Sequence, residues 1–192
     1  MARFLRRFWR EVVTHASQPD HPDVAALLAD GVALDAGQKA LRRQLHETIQ
    51  KVGDDYGRRH SFNTAIAALM ELLNAVAKFS DMSDAGRAVR HEVLQAMVLM
   101  LNPVTPHVSH ALWQVLGHPE GLLEDVAFPA VDTAALVRDS VKLAVQVNGK
   151  LRGTIRSTSA ALAEPNVALY VDGLSIRKVI VVPGKIVNIV AG

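Results

Sequence analysis

DDYGRRHSFNTAIAALMELLNAVAKF, residues 54–79, holds the end of one helix and the start of the next. Ser61 and Asn63 can each accept backbone N–H groups that the first turn of a helix leaves unpaired. Beyond them Ile66, Leu69, Met70, Leu73, Val76 and Phe79 recur at three- and four-residue steps, so one face of the new helix turns inward. The polar half of the stretch, Asp54, Asp55, Arg58, Arg59, His60 and Ser61, has the residue types of an active site. Adjacent residues on a helix point about 100° apart, so Asp54 and Asp55 cannot readily share one substrate atom, as an acid and a base must. Arg58, Arg59 and His60 suit the negative end of a helix and its unpaired carbonyls. The expectation is a helix end and a cap, with no catalytic residue.

Working outward, Leu41, Leu45, Ile49, Val52 and Tyr56 place a long helix from about Gln38 to the region Gly57 to His60. Gln18 to Gly37, with Pro19, Pro22, Gly31 and Gly37, reads as a loop broken by one short helical turn near Val24 to Leu28. Phe4, Leu5, Phe8, Trp9, Val12 and Val13 form one face of a first helix, and Arg3, Arg6, Arg7 and Arg10 take the other. Such arginines are more often solvated than bound to phosphate. On the far side, Val89, Val93, Met97, Met100 and Leu101 continue the helical period from about Asp84 and stop at Asn102-Pro103. Thr105-Pro106 restarts it as cap and first position, through Val108, Ala111, Leu112 and Val115 to Gly117. Five helices with short connections predict an antiparallel bundle over residues 1–117.

After Gly117 the texture changes. Residues 118–139, with Phe128-Pro129, read as a connection between domains. Residues 140–192 read as a small α+β domain. Val141 to Val147 is strand-like, Asn148-Gly149 is the strongest two-residue hairpin signal, and Lys150 to Arg156 returns as the partner strand. Ser159 to Leu169 allows one short helix interrupted by Pro165, and Ile176 to Val182 and Lys185 to Val190 complete a sheet around Pro183-Gly184.

Composition excludes several functions. The chain of 192 residues has no cysteine, which removes disulfides, thiolate zinc sites and cysteine nucleophiles and favours a cytoplasmic setting. No apolar run reaches the roughly 18 residues of a membrane span, and MARFLRRFWRE lacks the apolar centre of a signal peptide. Net charge is only +2, but it is uneven. From Val141 to Gly192 seven cations face Glu164 and Asp172, a net of +5, leaving about −3 for the rest. A basic terminal module points to a polyanion such as nucleic acid, with a solvated basic surface as the plain alternative.

Other motifs carry little. His107 and His110 could reach one metal from a helix, but no third ligand is suggested nearby. His91-Glu92 lacks the second histidine of a helical zinc-protease motif. There is no Gly-rich phosphate loop and no GxSxG.

Leu41 to Asn74, LRRQLHETIQKVGDDYGRRHSFNTAIAALMELLN, followed by LNPVTPHVSHALWQVLG at 101–117, resembles the helical domain that follows the catalytic core of bacterial leucyl-tRNA synthetases. The second segment alone is less specific, because isoleucyl, valyl and methionyl synthetases carry similar proline-bounded helices. VQVNGKLRG (145–153) and RKVIVVPGKIVNIV (177–190) resemble the C-terminal domain of the leucyl enzymes, and ARFLRRFWREV resembles the helix after their KMSKS loop. The resemblance covers nearly the whole chain.

That resemblance implies a mainly α fold, an antiparallel bundle of the class I aminoacyl-tRNA synthetase anticodon-binding type followed by a small α+β domain. It implies a part in the ATP- and magnesium-dependent leucylation of tRNA-Leu, with the catalytic remainder of the synthetase and tRNA as partners, no membrane, and a monomer. The HIGH and KMSKS motifs and the editing domain have no counterpart here. The chain alone is therefore expected to be a fragment that binds tRNA without aminoacylation or editing, with no catalytic residue, cofactor or metal of its own. The implied tRNA contacts are Asn148, Lys150 and Arg152 at the hairpin and Arg177, Lys178 and Lys185 around the last strands, with Arg58, Arg59, Lys51 and Arg3 as weaker candidates in the bundle. Two departures stand out: Ser157 to Leu169 is shorter than the helical stretch usual in the family, and Phe128-Pro129 replaces a common Trp-Pro. A free-standing RNA-binding module and a helical interaction protein are the alternatives.

Overall fold

The computed structural model describes residues 1–18, 22–118, 120–137, 143–148, 150–155, 176–182 and 186–191. They fall into two compact units, Met1–Val137 and Arg138–Gly192.

The first unit is helical: α1 Ala2–Ala16, α2 Val24–Ala29, α3 Ala36–Gly57, α4 Phe62–Lys78, α5 Asp84–Leu101 and α6 Pro106–Val115. Phe8, Leu45, Leu69, Leu72, Leu73, Leu94, Met97, Met100, Leu101 and Leu112 are fully buried among these helices. At about 25 cal/mol per Å² of apolar area, such side chains dominate the stability of the unit. Helix α3 packs on both α4 and α5. Tyr56 ties them further by donating its hydroxyl to the Met100 carbonyl at 3.0 Å and meeting the Phe62 ring at a tilt, 5.2 Å between centroids.

The helix boundaries follow local chemistry. Asp35 and Gln38 make a reciprocal capping box at the start of α3, Asp23 caps α2, and Ser83 caps α5 through Gly86 N–H. The α4 start differs from expectation. Ser61 stands at the cap position, but its hydroxyl donates to the Arg59 carbonyl at 3.2 Å, and Asn63 lies inside the helix. Thr64 donates to the Ser61 carbonyl at 2.8 Å, so the tight turn after α3 is held by hydroxyls reaching backward. His60, at φ 50°, makes the left-handed step that turns the chain.

Much of the segment expected to be a connection belongs structurally to the bundle. Leu123, in a 3-10 turn Leu123–Asp125, is buried in the core, Val131 packs against it, and Phe128 meets Tyr56 edge to face at 6.5 Å. Its apolar residues and Asp132 draw it onto α3, so the first unit extends to Val137.

The second unit is a four-stranded sheet in its described residues: β1 Leu143–Val147, β2 Lys150–Ile155, β3 Ile176–Val182 and β4 Ile186–Ala191, in the order β2-β1-β4-β3. The β1–β2 and β3–β4 pairs are antiparallel and β1–β4 is parallel. Val145, Val147 and Ile189 bury one face. Asn148 adopts φ 49°, as a tight hairpin asks of it, and its N–H donates to the Ile189 carbonyl at 2.9 Å. The expected helix in Ser159 to Leu169 and the turn at Pro183-Gly184 lie outside the described residues.

Candidate nucleic-acid interface

Strand register gathers most of the terminal candidates at one end of the sheet. Lys150, Val147, Ile189 and Val179 form one row across β2, β1, β4 and β3, and Lys178 is one residue from that row. Lys150 and the Arg177-Lys178 step thus mark opposite edges of the same end, three strand spacings or about 14 Å apart. Asn148, Lys150, Arg177 and Lys178 are exposed.

Both edge strands carry a β-bulge, and an arginine is the extra residue in each. Gly153 pairs with Val145 and Leu151 with Gln146, which leaves Arg152 without a register partner. Ile176 pairs with Ala191 and Lys178 with Val190, which leaves Arg177 in the same position on β3. A bulge breaks the ladder and re-aims a side chain, and an edge charge deters pairing with a foreign strand. Arg177, exposed on β3, therefore has a structural use beside any RNA contact. Lys185 lies outside the described residues.

The bundle candidates are differently placed. Arg58 holds Asp54 through two bonds at 2.6 and 3.0 Å, and Lys51 and Arg59 both hold Asp55, at 3.1 and 3.3 Å. Asp55 is fully buried while its neighbour Asp54 is partly exposed, as the divergence of adjacent helical side chains requires. The Thr64 hydroxyl, opposed by burial, together with Lys51 and Arg59, holds the Asp55 carboxyl below the usual range. The Arg58 hydrogen bond does the same for Asp54. These three cations are partly spent on carboxylates in the last turn of α3. Arg3 is exposed in the first turn of α1, beside a cavity of about 570 Å³ that it lines with Arg7, Met70 and Asn74.

Sequence reasoning missed a polar core. Arg42 on α3 makes a forked contact to Glu92 on α5, with bonds of 2.9 to 3.2 Å, and reaches Asp132 at 2.9 Å. His46 accepts the Asp132 N–H and faces Glu92 at 3.4 Å. Burial would raise the Glu92 carboxyl, but the approach of His46 and the hydrogen bonds and charge of Arg42 outweigh it and hold the group below its usual range. Glu92 thus has a partner set that the lone His91-Glu92 pair did not suggest. A signal existed: Gln38, Arg42 and His46 form a polar row at four-residue steps beside the apolar row, and all three are buried.

His107 and His110 line a cavity of about 320 Å³ with Asn102 and Glu124, and His110 bonds Gln114 at 3.3 Å. His15 and His91 meet at 3.2 Å between α1 and α5. Among the described residues no group of three metal-ligating side chains converges, and no helix is long and apolar enough to cross a membrane.

A family model described as the anticodon-binding domain of tRNA ligase matches residues 38–165. The leucine–tRNA ligase of Stenotrophomonas maltophilia (strain K279a) is 66% identical over 200 residues, covering 100% of this chain and 22% of that protein. That of Xanthomonas campestris pv. campestris (strain B100) is 63% identical over 201 residues, again covering the whole chain and 23% of the relative. The chain thus spans under a quarter of the length of the relatives it matches. Among solved structures, a ternary complex of Agrobacterium radiobacter K84 agnB2 LeuRS, tRNA and LeuAMS aligns with a TM-score of 0.74 and 26% identity, over 98% of this chain and 25% of that one.

Proposed function

The chain belongs to the family of anticodon-binding domains of tRNA ligases, and on that premise we propose that it is the tRNA-docking C-terminal part of a leucine–tRNA ligase. The observation that carries this reading is the 66% identity running through both units, including the terminal sheet that the family match reaches only in part. The helices form an antiparallel bundle that lies along the tRNA, and the second unit is an α+β module whose basic end meets it. The charge supports this division, because the module carries +5 of a chain whose total is +2.

In this reading Asn148, Lys150, Arg152, Arg177, Lys178 and Lys185 contact phosphate and sugar, which fixes register, while tRNA shape and exposed loop bases give selectivity. Lys51, Arg58, Arg59 and Arg3 are secondary contacts in the bundle. The residues present offer no counterpart of the ATP-binding motifs, so ATP, magnesium, leucyl transfer and editing belong to the remainder of the ligase, a monomeric cytoplasmic enzyme of protein biosynthesis. Filter binding of a tRNA-Leu transcript at two salt concentrations tests the role. Binding should weaken steeply with salt, and Lys150→Ala with Arg152→Ala should lower the log–log slope by about 1 to 2. No binding, or binding indifferent to salt, contradicts it.

A further inference from the structure

The two edges of the terminal sheet are guarded against foreign strands to different extents. On β2, Lys150 opens the strand, the bulge at Arg152 breaks the ladder, and Gly153 and Thr154 follow. On β3 the guard ends early. Arg177 is the bulged residue and Lys178 follows it, but Val179, Ile180, Val181 and Val182 bring no charge, proline or glycine. Register with β4 runs without a break from Lys178–Val190 to Val182–Ile186, so this half of the strand is regular. Among the described residues β4 is its one neighbour in the sheet.

Val179 is 45% exposed and Ile180 is 40% exposed. Adjacent strand residues point to opposite faces, so β3 is uncovered on both at this point. A regular edge of β-branched residues without a charge is a template for pairing with another chain.

We propose that Lys178 to Val182 is a docking edge that takes an extended, acidic strand of a partner protein by strand addition. The main chain of β3 supplies the ladder, and alternate side chains of the incoming strand pack beside Val179 on one face and Ile180 on the other. Charge selects the partner. Arg177 and Lys178 are exposed at one end of the edge, in a module that carries +5, so carboxylates at the matching end of the strand are favoured and basic strands repelled. A second copy of this chain fits less well, because it would bring two such modules together. RNA gains little from exposed aliphatic side chains, and β3 has no aromatic residue on which a base could stack. The tRNA contacts proposed above use the side chains of Arg177 and Lys178, whereas the edge uses main chain, so the inference does not rest on them.

The test uses the 192-residue chain and a fluorescein-labelled heptapeptide, Val-Thr-Val-Thr-Val-Glu-Glu. Anisotropy should rise on binding, and amide shifts should move at residues 178–182 while those of β2 stay in place. A peptide ending in two lysines should bind about tenfold more weakly or worse. Methylating the backbone nitrogens of the first, third and fifth peptide residues, or of the second and fourth, should abolish binding in one set and spare it in the other, because alternate residues of an added antiparallel strand face the edge. Ile180→Lys should weaken binding about tenfold with an unchanged thermal midpoint. No binding, equal binding of the two charged peptides, equal loss from both methylated sets, or shifts centred outside β3 overturns the proposal. So does self-association that Ile180→Lys abolishes, which assigns the edge to a second copy. Protection of the β3 amides by tRNA-Leu with none by the peptide overturns it in favour of RNA.

Discussion

His46 Nδ1 accepts the backbone N–H of Asp132 at 3.1 Å, joining residues 86 positions apart. A nitrogen that accepts carries no proton, so in the neutral ring the proton sits on Nε2, which faces Glu92 Oε1 at 3.4 Å. The same two residues share Arg42, whose guanidinium reaches both Glu92 and Asp132. Residues 126–137 are thereby fastened to α3 and α5 immediately before the chain enters the second unit.

Arg42→Ala should therefore be costly. It leaves Glu92 mostly buried without its main cation, a loss of about 3 kcal/mol. Asp132→Ala removes a more exposed partner and should cost about 1 kcal/mol or less. Urea unfolding of both variants measures the difference, and amide exchange should show residues 126–137 opening in each.

Acid should act on this network and on the Asp55 pairs. Glu92, Asp132 and Asp55 all sit below their ordinary carboxyl values in the folded chain. The unfolded chain then binds more protons as pH falls, so the stabilisation is complete above about pH 4.5 and is lost as pH drops through the folded values. Glu92→Gln should flatten this acid limb while lowering stability at neutral pH. Denaturant midpoints between pH 3 and 7 test the sign.

Gly86 has a steric reason to be glycine. A Cβ there would lie 2.5 Å from the Asp81 carboxyl and 2.9 Å from its carbonyl oxygen. Asp81 cannot yield freely, because Gln38 Nε2 donates to it at 2.6 Å and it accepts the Ser83 N–H. Gly86→Ala should cost about 1 to 3 kcal/mol despite better helix propensity. A rise in midpoint would contradict the contact.

His60 presents the opposite case. Its left-handed backbone is strained for a residue with a Cβ. His60→Gly should raise stability by up to about 1 kcal/mol, because relief of strain exceeds the added freedom of the unfolded chain. Thermal unfolding decides it.

The helices were legible where one face repeats, as in Leu41, Leu45, Ile49 and Val52 of α3, all buried. Asn148-Gly149 announced its hairpin because few residues tolerate the backbone that a two-residue turn imposes. Ser61 was misread in detail because a hydroxyl can bond forward as a cap or backward to a carbonyl, and sequence does not distinguish the two. Residues 118–139 lack a period and so read as a connection, yet Leu123 and Phe128 pack one at a time without one. The Arg42–Glu92–Asp132 cluster was hidden for a different reason, since its members come from two helices and a loop. The bulged arginines needed strand register, which no spacing of residues supplies.

The most direct test replaces the matched portion of the Stenotrophomonas maltophilia ligase with this chain and measures leucylation of tRNA-Leu. Charging should be close to that of the parent enzyme and well above that of the enzyme truncated at the same point, with the gain eroded by added salt. A folded chimera that charges tRNA no faster than the truncated enzyme would contradict it.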